Sequence, residues 1–104
     1  MKMHTSLGTA LLLAFGLNAS IAMADATLAA SKACMACHGI DNKLVGPAFK
    51  DVAAKYSGQD DAKDVLMAKV KAGGAGNWGN IPMPGQGHVS DEDIATLVDW
   101  ILAM

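Results

Sequence analysis

At 104 residues the chain holds one domain at most, which excludes a multi-domain enzyme. Eight lysines and no arginine stand against ten acidic residues, and this slightly acidic balance argues against nucleic acid as a partner. The hydrophobic share is 52% but the aromatic share only 5%, because much of the excess is Ala, Leu, Ile and Met gathered in the first two dozen residues.

Residues 1–24 begin with Lys2, continue through an apolar stretch from Leu7 to about Leu17, and close on Ala22-Met23-Ala24, a small-x-small pattern before Asp25. This predicts a secretory signal peptide cleaved after Ala24, hence a periplasmic protein. Gly8, Thr9, Gly16, Asn18 and Ser20 interrupt the stretch. It falls short of the ~20 apolar residues of a membrane span, so no stable membrane insertion is expected. The residue directly after the cleavage point is Asp25 and not a cysteine, so no lipid anchor is expected either. The mature domain, residues 25–104, would have 80 residues and a formal charge of −3. Domains below about 80 residues bury a thin core and usually need a disulfide, a metal or another staple.

Thr27 to about Cys34 reads as a short helix with Asp25 or Thr27 as N-cap. Gly46-Pro47 opens a second helix with proline at its first position, and Phe49, Val52, Ala53 and Tyr56 repeat at helical spacing until Ser57-Gly58 stops it. A third helix is predicted from about Asp60 to Ala72, with Asp60 and Asp61 at its positive end, Lys69 and Lys71 at its negative end, and Gly73-Gly74 beyond. Residues 73–88, GGAGNWGNIPMPGQGH, are so rich in Gly and Pro that a long loop is expected. The last helix is marked by Ser90 and Asp93, spaced as in a capping box, and by the stripe Ile94, Leu97, Val98, Ile101 and Leu102. No alternating strand pattern is evident, so the fold class is all-α.

The staple is Cys34-Met35-Ala36-Cys37-His38. Two thiols in a C-x-x-C-H run can add across the vinyl groups of a haem while the adjacent His38 meets the iron. A leader supports this, because haem attachment of this kind takes place outside the bacterial cytoplasm. A thioredoxin-like pair would want a βαβ context, and a zinc site using His38 and His88 lacks the usual paired spacing of its second two ligands. For the iron's sixth position the candidates are His88, lysines, and Met35, Met67, Met83 or Met104. Met83 stands apart, because Pro82 and Pro84 bracket it in a stiff segment that cannot continue a helix.

These residues, with Val45-Gly46-Pro47-Ala48-Phe49, Asn77-Trp78-Gly79-Asn80-Ile81-Pro82-Met83-Pro84 and Val89-Ser90-Asp91, resemble the small bacterial class I cytochromes c of the c-551/c-552 type, over essentially all of residues 25–104. The resemblance implies a small cytochrome c fold of about four short helices around one covalently attached haem c, held by Cys34 and Cys37. It implies iron ligated by His38 and Met83. It also implies that the Pro47 carbonyl accepts a hydrogen bond from the ligand imidazole and that Trp78 donates to a haem propionate. Lys69 stands where family members often carry arginine and would make a weaker propionate contact. Gln86 is the candidate for an amide near the Met83 sulfur.

With both axial positions filled by protein, the iron has no site for bond-making, so the expected function is single-electron transfer, not enzyme catalysis. The implied partners are redox proteins: a donor such as a cytochrome bc1-type complex and an acceptor such as a nitrite reductase or terminal oxidase. A monomer is expected. Lys32, Lys43, Lys50 and Lys55 bracket the attachment segment and are candidates for a positive docking ring. The rival readings are a five-coordinate haem gas sensor or small haem enzyme, and a bis-histidine carrier using His88.

Overall fold

The segment before the cysteines contains no helix breaker, and it coils as the end of α1 (Phe15–Ser31). The computed structural model describes residues 15–104; the first 14 residues of the expected leader lie outside the described residues. The helix expected from Thr27 therefore begins earlier, and Thr27 is not its cap: the hydroxyl donates to the Met23 carbonyl at 2.9 Å, one helical turn back. The helix also stops sooner than Cys34. Ala33 takes a left-handed conformation, φ 62°, which no α-helix continues, and the chain re-enters as a 3₁₀ turn, Cys34–Ala36.

The second helix, α2 (Phe49–Tyr56), starts two residues later than its proline suggested, with Ala48 as N-cap. The cause is the preceding loop. Phe49 N–H donates to the Gly39 carbonyl and Lys50 N–H to that of Ile40, at 2.9 and 3.1 Å, so donors of the first turn are satisfied from outside the helix. Pro47 thereby lies outside the helix, with its carbonyl free of helical bonds.

Helix α3 (Ala62–Ala72) also begins slightly late, after Asp61, and closes on Gly73 with Lys69 and Lys71 in the last turn as expected. Beyond it the structure overturns the loop reading of residues 73–88 and the absence of strands. Gly74–Gly76 (β1) and Gly79–Met83 (β2) form an antiparallel hairpin, Gly74 opposite Met83 and Gly76 opposite Gly79. Gly74, Gly76 and Gly79 have φ of 122°, 119° and 115°, conformations that side chains beyond glycine rarely adopt. The glycine content that suggested a loop is what lets this ribbon bend.

Helix α4 (Asp91–Leu102) is capped as its sequence implied, the Ser90 hydroxyl accepting from Asp93 N–H at 3.1 Å. It packs against α1, α2 and α3 and is the centre of the core. Ile94 and Val98 are fully buried on it, among Val52, Tyr56, Ala62, Leu66 and Val89. Lys71 ties the end of α3 to the start of α4, reaching the Val89 carbonyl and the Asp91 carboxylate, each at 2.9 Å. Among the described residues no helix is long and apolar enough to cross a membrane.

Candidate haem site

The turn that ends α1 sets the geometry of the cysteines. His38 N–H closes back on the Cys34 carbonyl at 3.0 Å, so Cys34, Cys37 and His38 lie on one tight turn. Both thiols are free and half-buried. Burial pushes the Cys34 thiol above its ordinary range, outweighing a hydrogen bond at its own backbone that lowers it, and the neighbouring Cys37 adds to the rise.

His38 is held on three sides. Its Nδ1 lies 2.7 Å from the Pro47 carbonyl oxygen, and since a carbonyl only accepts, Nδ1 carries the proton and Nε2 keeps its lone pair. Its ring stacks on Phe49, centroids 5.0 Å apart and planes within 17°, and Phe49 meets Trp100 of α4 edge-on at 5.6 Å. Gly46 closes the third side, where a Cβ would stand 2.5 Å from the imidazole Cε1. Gly46 N–H is itself bound to the Cys37 carbonyl at 2.7 Å.

Met83 ends β2, half-buried. Its segment is moored to the C-terminus of α3: Gln86 N–H donates to the Val70 carbonyl at 2.9 Å, and Gly73 sits so close to the Met83 carbonyl and to Gly85 that any side chain at 73 would collide with them. The Gln86 side chain donates to the Pro84 carbonyl at 3.0 Å, and that contact occupies the amide proposed to approach the Met83 sulfur. Trp78, at the hairpin turn, is 42% exposed with Lys55 Nζ 4.5 Å above its ring centroid. The Lys69 ammonium lies beside Gly74 at the root of the hairpin. His88 is exposed on the turn that follows.

The structure therefore gathers Cys34, Cys37, His38 and Pro47 into one cluster and places Met83, Trp78 and Lys69 on the hairpin and its root. The lysine ring is less free than expected: Lys32 pairs with Asp93 at 3.8 Å, Lys50 with Asp41 at 2.5 Å, and Lys55 donates to the Asn77 carbonyl at 2.9 Å. Among the described residues no group of three or more His, Cys, Asp or Glu is placed to hold a bare metal ion, which leaves the zinc alternative without support. The sequence marked Phe49 as a helix-face position and Gly46 as part of a helix start, and gave neither a contact with the His38 ring. A flat aromatic eleven residues after His38, just beyond a glycine and a proline, was the available signal.

The sequence profile of the cytochrome c family matches residues 24–104. The chain is 54% identical over 83 residues to cytochrome c-551 of Allochromatium vinosum, covering 80% of this chain and 88% of that one. It is 52% identical over 86 residues to cytochrome c-552 of Nitrosomonas europaea, covering 83% and 84%. The crystal structure of wild-type Nitrosomonas europaea cytochrome c552 superposes with a TM-score of 0.72 at 53% identity, over 74% of this chain and 95% of that chain. The chain belongs to the cytochrome c family. It has the mostly helical cytochrome c fold and, with the family, the covalently attached haem c and its iron, in electron transport. The donor set fits that group: two free thiols on one turn, an imidazole with its Nε2 lone pair available, and a thioether on a moored strand.

Proposed function

We propose that residues 1–24 are a leader removed on export, and that residues 25–104 form a periplasmic single-electron shuttle feeding a terminal reductase or oxidase. Cys34 and Cys37 hold the haem, and His38 and Met83 take the axial positions. When bound, the haem supplies a one-electron Fe(III)/Fe(II) couple. The observation that carries this reading is the 2.7 Å contact between His38 Nδ1 and the Pro47 carbonyl, which fixes the tautomer and leaves Nε2 as the metal-facing nitrogen.

The remaining roles follow from the chain's own chemistry. Phe49 and Gly46 clamp the imidazole plane, so it does not reorient when the charge changes. The Met83 thioether favours Fe(II) and raises the potential relative to a second imidazole. Trp78 offers an indole N–H, and Lys69 an ammonium, to propionates. Leu44, Val45 and Ile81 are exposed apolar side chains, 53%, 52% and 65%, and suit a brief, weak contact with a redox partner better than a paired lysine ring does. Closing both axial positions leaves electron transfer, not bond-making, as the activity.

Replacing Met83 tests the reading. Met83→Ala should let the reduced protein bind carbon monoxide, and Met83→His should keep a low-spin iron while lowering the potential. A wild type that binds carbon monoxide as readily as Met83→Ala would mean a five-coordinate iron and a sensor or enzyme instead. Loss of the low-spin spectrum in His88→Ala but not in Met83→Ala would point to a bis-histidine carrier.

A further inference from the structure

The hairpin that carries Met83 is moored at its root by Gly73 and by Gln86 on the end of α3. Its far end, the Asn77-Trp78 turn, is held by a different element. Lys55, in the last turn of α2, spans 22 residues to donate to the Asn77 carbonyl at 2.9 Å. The same ammonium stands 4.5 Å from the centroid of the Trp78 ring, so one charge meets both a carbonyl dipole and a π face. The Asn77 side chain adds a longer contact, Nδ2 to the hydroxyl of the neighbouring Tyr56, at 3.5 Å.

These contacts matter because, within the chain itself, the ribbon has little else at that end. Trp78, Gly79, Asn80 and Ile81 are exposed, and none of them is part of the buried core. Two-stranded ribbons are marginal without packing on one face. The ends of the hairpin are thus fixed by unlike means: backbone fit against α3 at the root, and side chains of α2, Lys55 first and Tyr56 at longer range, at the tip.

We infer that Lys55 is a positioning residue for the sixth ligand, a latch that holds the hairpin tip against α2 and so limits how often Met83 swings away. The inference rests on the proposed ligation by Met83. Lysine suits the task because its flexible stem lets one ammonium serve two acceptors. Arginine can do the same, since its planar fork stacks on an indole while still donating to a carbonyl, whereas methionine keeps the stem and removes the charge.

The test uses the haem-loaded protein and two readouts. The first is the rate at which added imidazole replaces the sixth ligand of the oxidised protein, a rate set by departure of the resident ligand. The second is amide hydrogen exchange in Gly79–Met83 against that in α4. Lys55→Met should raise both the imidazole rate and the hairpin exchange by at least roughly 3-fold, the loss one exposed cation–π contact supports once water takes over the exposed hydrogen bond. Lys55→Arg should return both to near the wild-type values. The control is Lys63→Met, which removes the 3.0 Å bond from Lys63 to Asp99 between α3 and α4, away from the hairpin, and should leave both readouts unchanged. If Lys55→Met speeds them no more than Lys63→Met does, the latch is refuted and Lys55 is only a surface contact. If the wild type takes imidazole as fast as Met83→Ala, the axial assignment fails instead. Hairpin exchange then decides the latch on its own, upheld by faster exchange in Lys55→Met and overturned by unchanged exchange.

Discussion

The segment around His38 and the segment around Met83 offer two ways of holding one side chain for the same task. Around His38 the supports come from residues 34–49, within a dozen positions of the ring: a carbonyl, a stacked phenyl and a glycine wall. Around Met83 they come from Lys55 on α2, Val70 on α3 and Gly73 at the end of α3, and they hold the backbone of the ribbon and not the thioether. One proposed ligand is clamped directly and the other is carried by a ribbon whose ends are pinned. The histidine side should therefore fail by unfolding, and the methionine side by opening locally while the helices stay intact.

The largest effect should come from Phe49→Ala. It removes a nearly buried ring that joins His38 to Trp100, and a truncation of this kind costs roughly 3–5 kcal/mol. Urea unfolding of the haem-loaded protein should show the full loss in the cooperative transition of the helices; an early local loss of structure around His38 with the helices still native would contradict the contrast drawn above.

Gly73→Ala should be the sharper probe of the other side. Gly73 has φ 72° and ψ −162°, a region essentially reserved for glycine, and its Cβ would meet the Met83 carbonyl. Strain of this sort costs of order 1–3 kcal/mol. Here ligand entry at the sixth position should quicken before the helices melt, visible as imidazole binding at denaturant concentrations where the far-ultraviolet circular dichroism is still native. Loss of both together would mean that the hairpin and helices form one cooperative unit.

Trp78→Phe should have the smallest effect, about 1 kcal/mol, because the ring is partly exposed and only the donor is lost. The pH dependence of the potential should change as well, since a propionate deprived of its donor holds its proton more tightly. An unchanged pH dependence would reduce Trp78 to a platform for Lys55.

This contrast also explains what could be read from the sequence. The attachment turn, Pro47 and the capped, striped α4 were legible because their chemistry is local: a five-residue motif, a fixed φ, a helical period. Helix ends were less legible. The stop at Ala33 requires a left-handed alanine, which no composition rule anticipates, and the start of α2 depends on donors satisfied by Gly39 and Ile40. The hairpin was not legible at all, because β1 is Gly-Ala-Gly and offers no alternation of side chains. Lys55 likewise looked like a docking charge, since its partners lie 22 and 23 residues away across a turn the sequence did not reveal.

The two prolines beside Met83 have a consequence for the molecule among its own copies. A two-stranded ribbon exposes open edges, and an exposed edge with apolar Ile81 beside it invites a strand from a neighbour. Pro82 lies within β2 and carries no N–H, and Pro84 follows directly beyond the strand's end, so the segment offers fewer backbone donors than its length suggests. A visiting strand would find an incomplete ladder there. The segment that shows its apolar surface most openly is thus poorly suited to lasting self-pairing, and a crowded compartment can hold many copies of this chain without their ribbons zipping together.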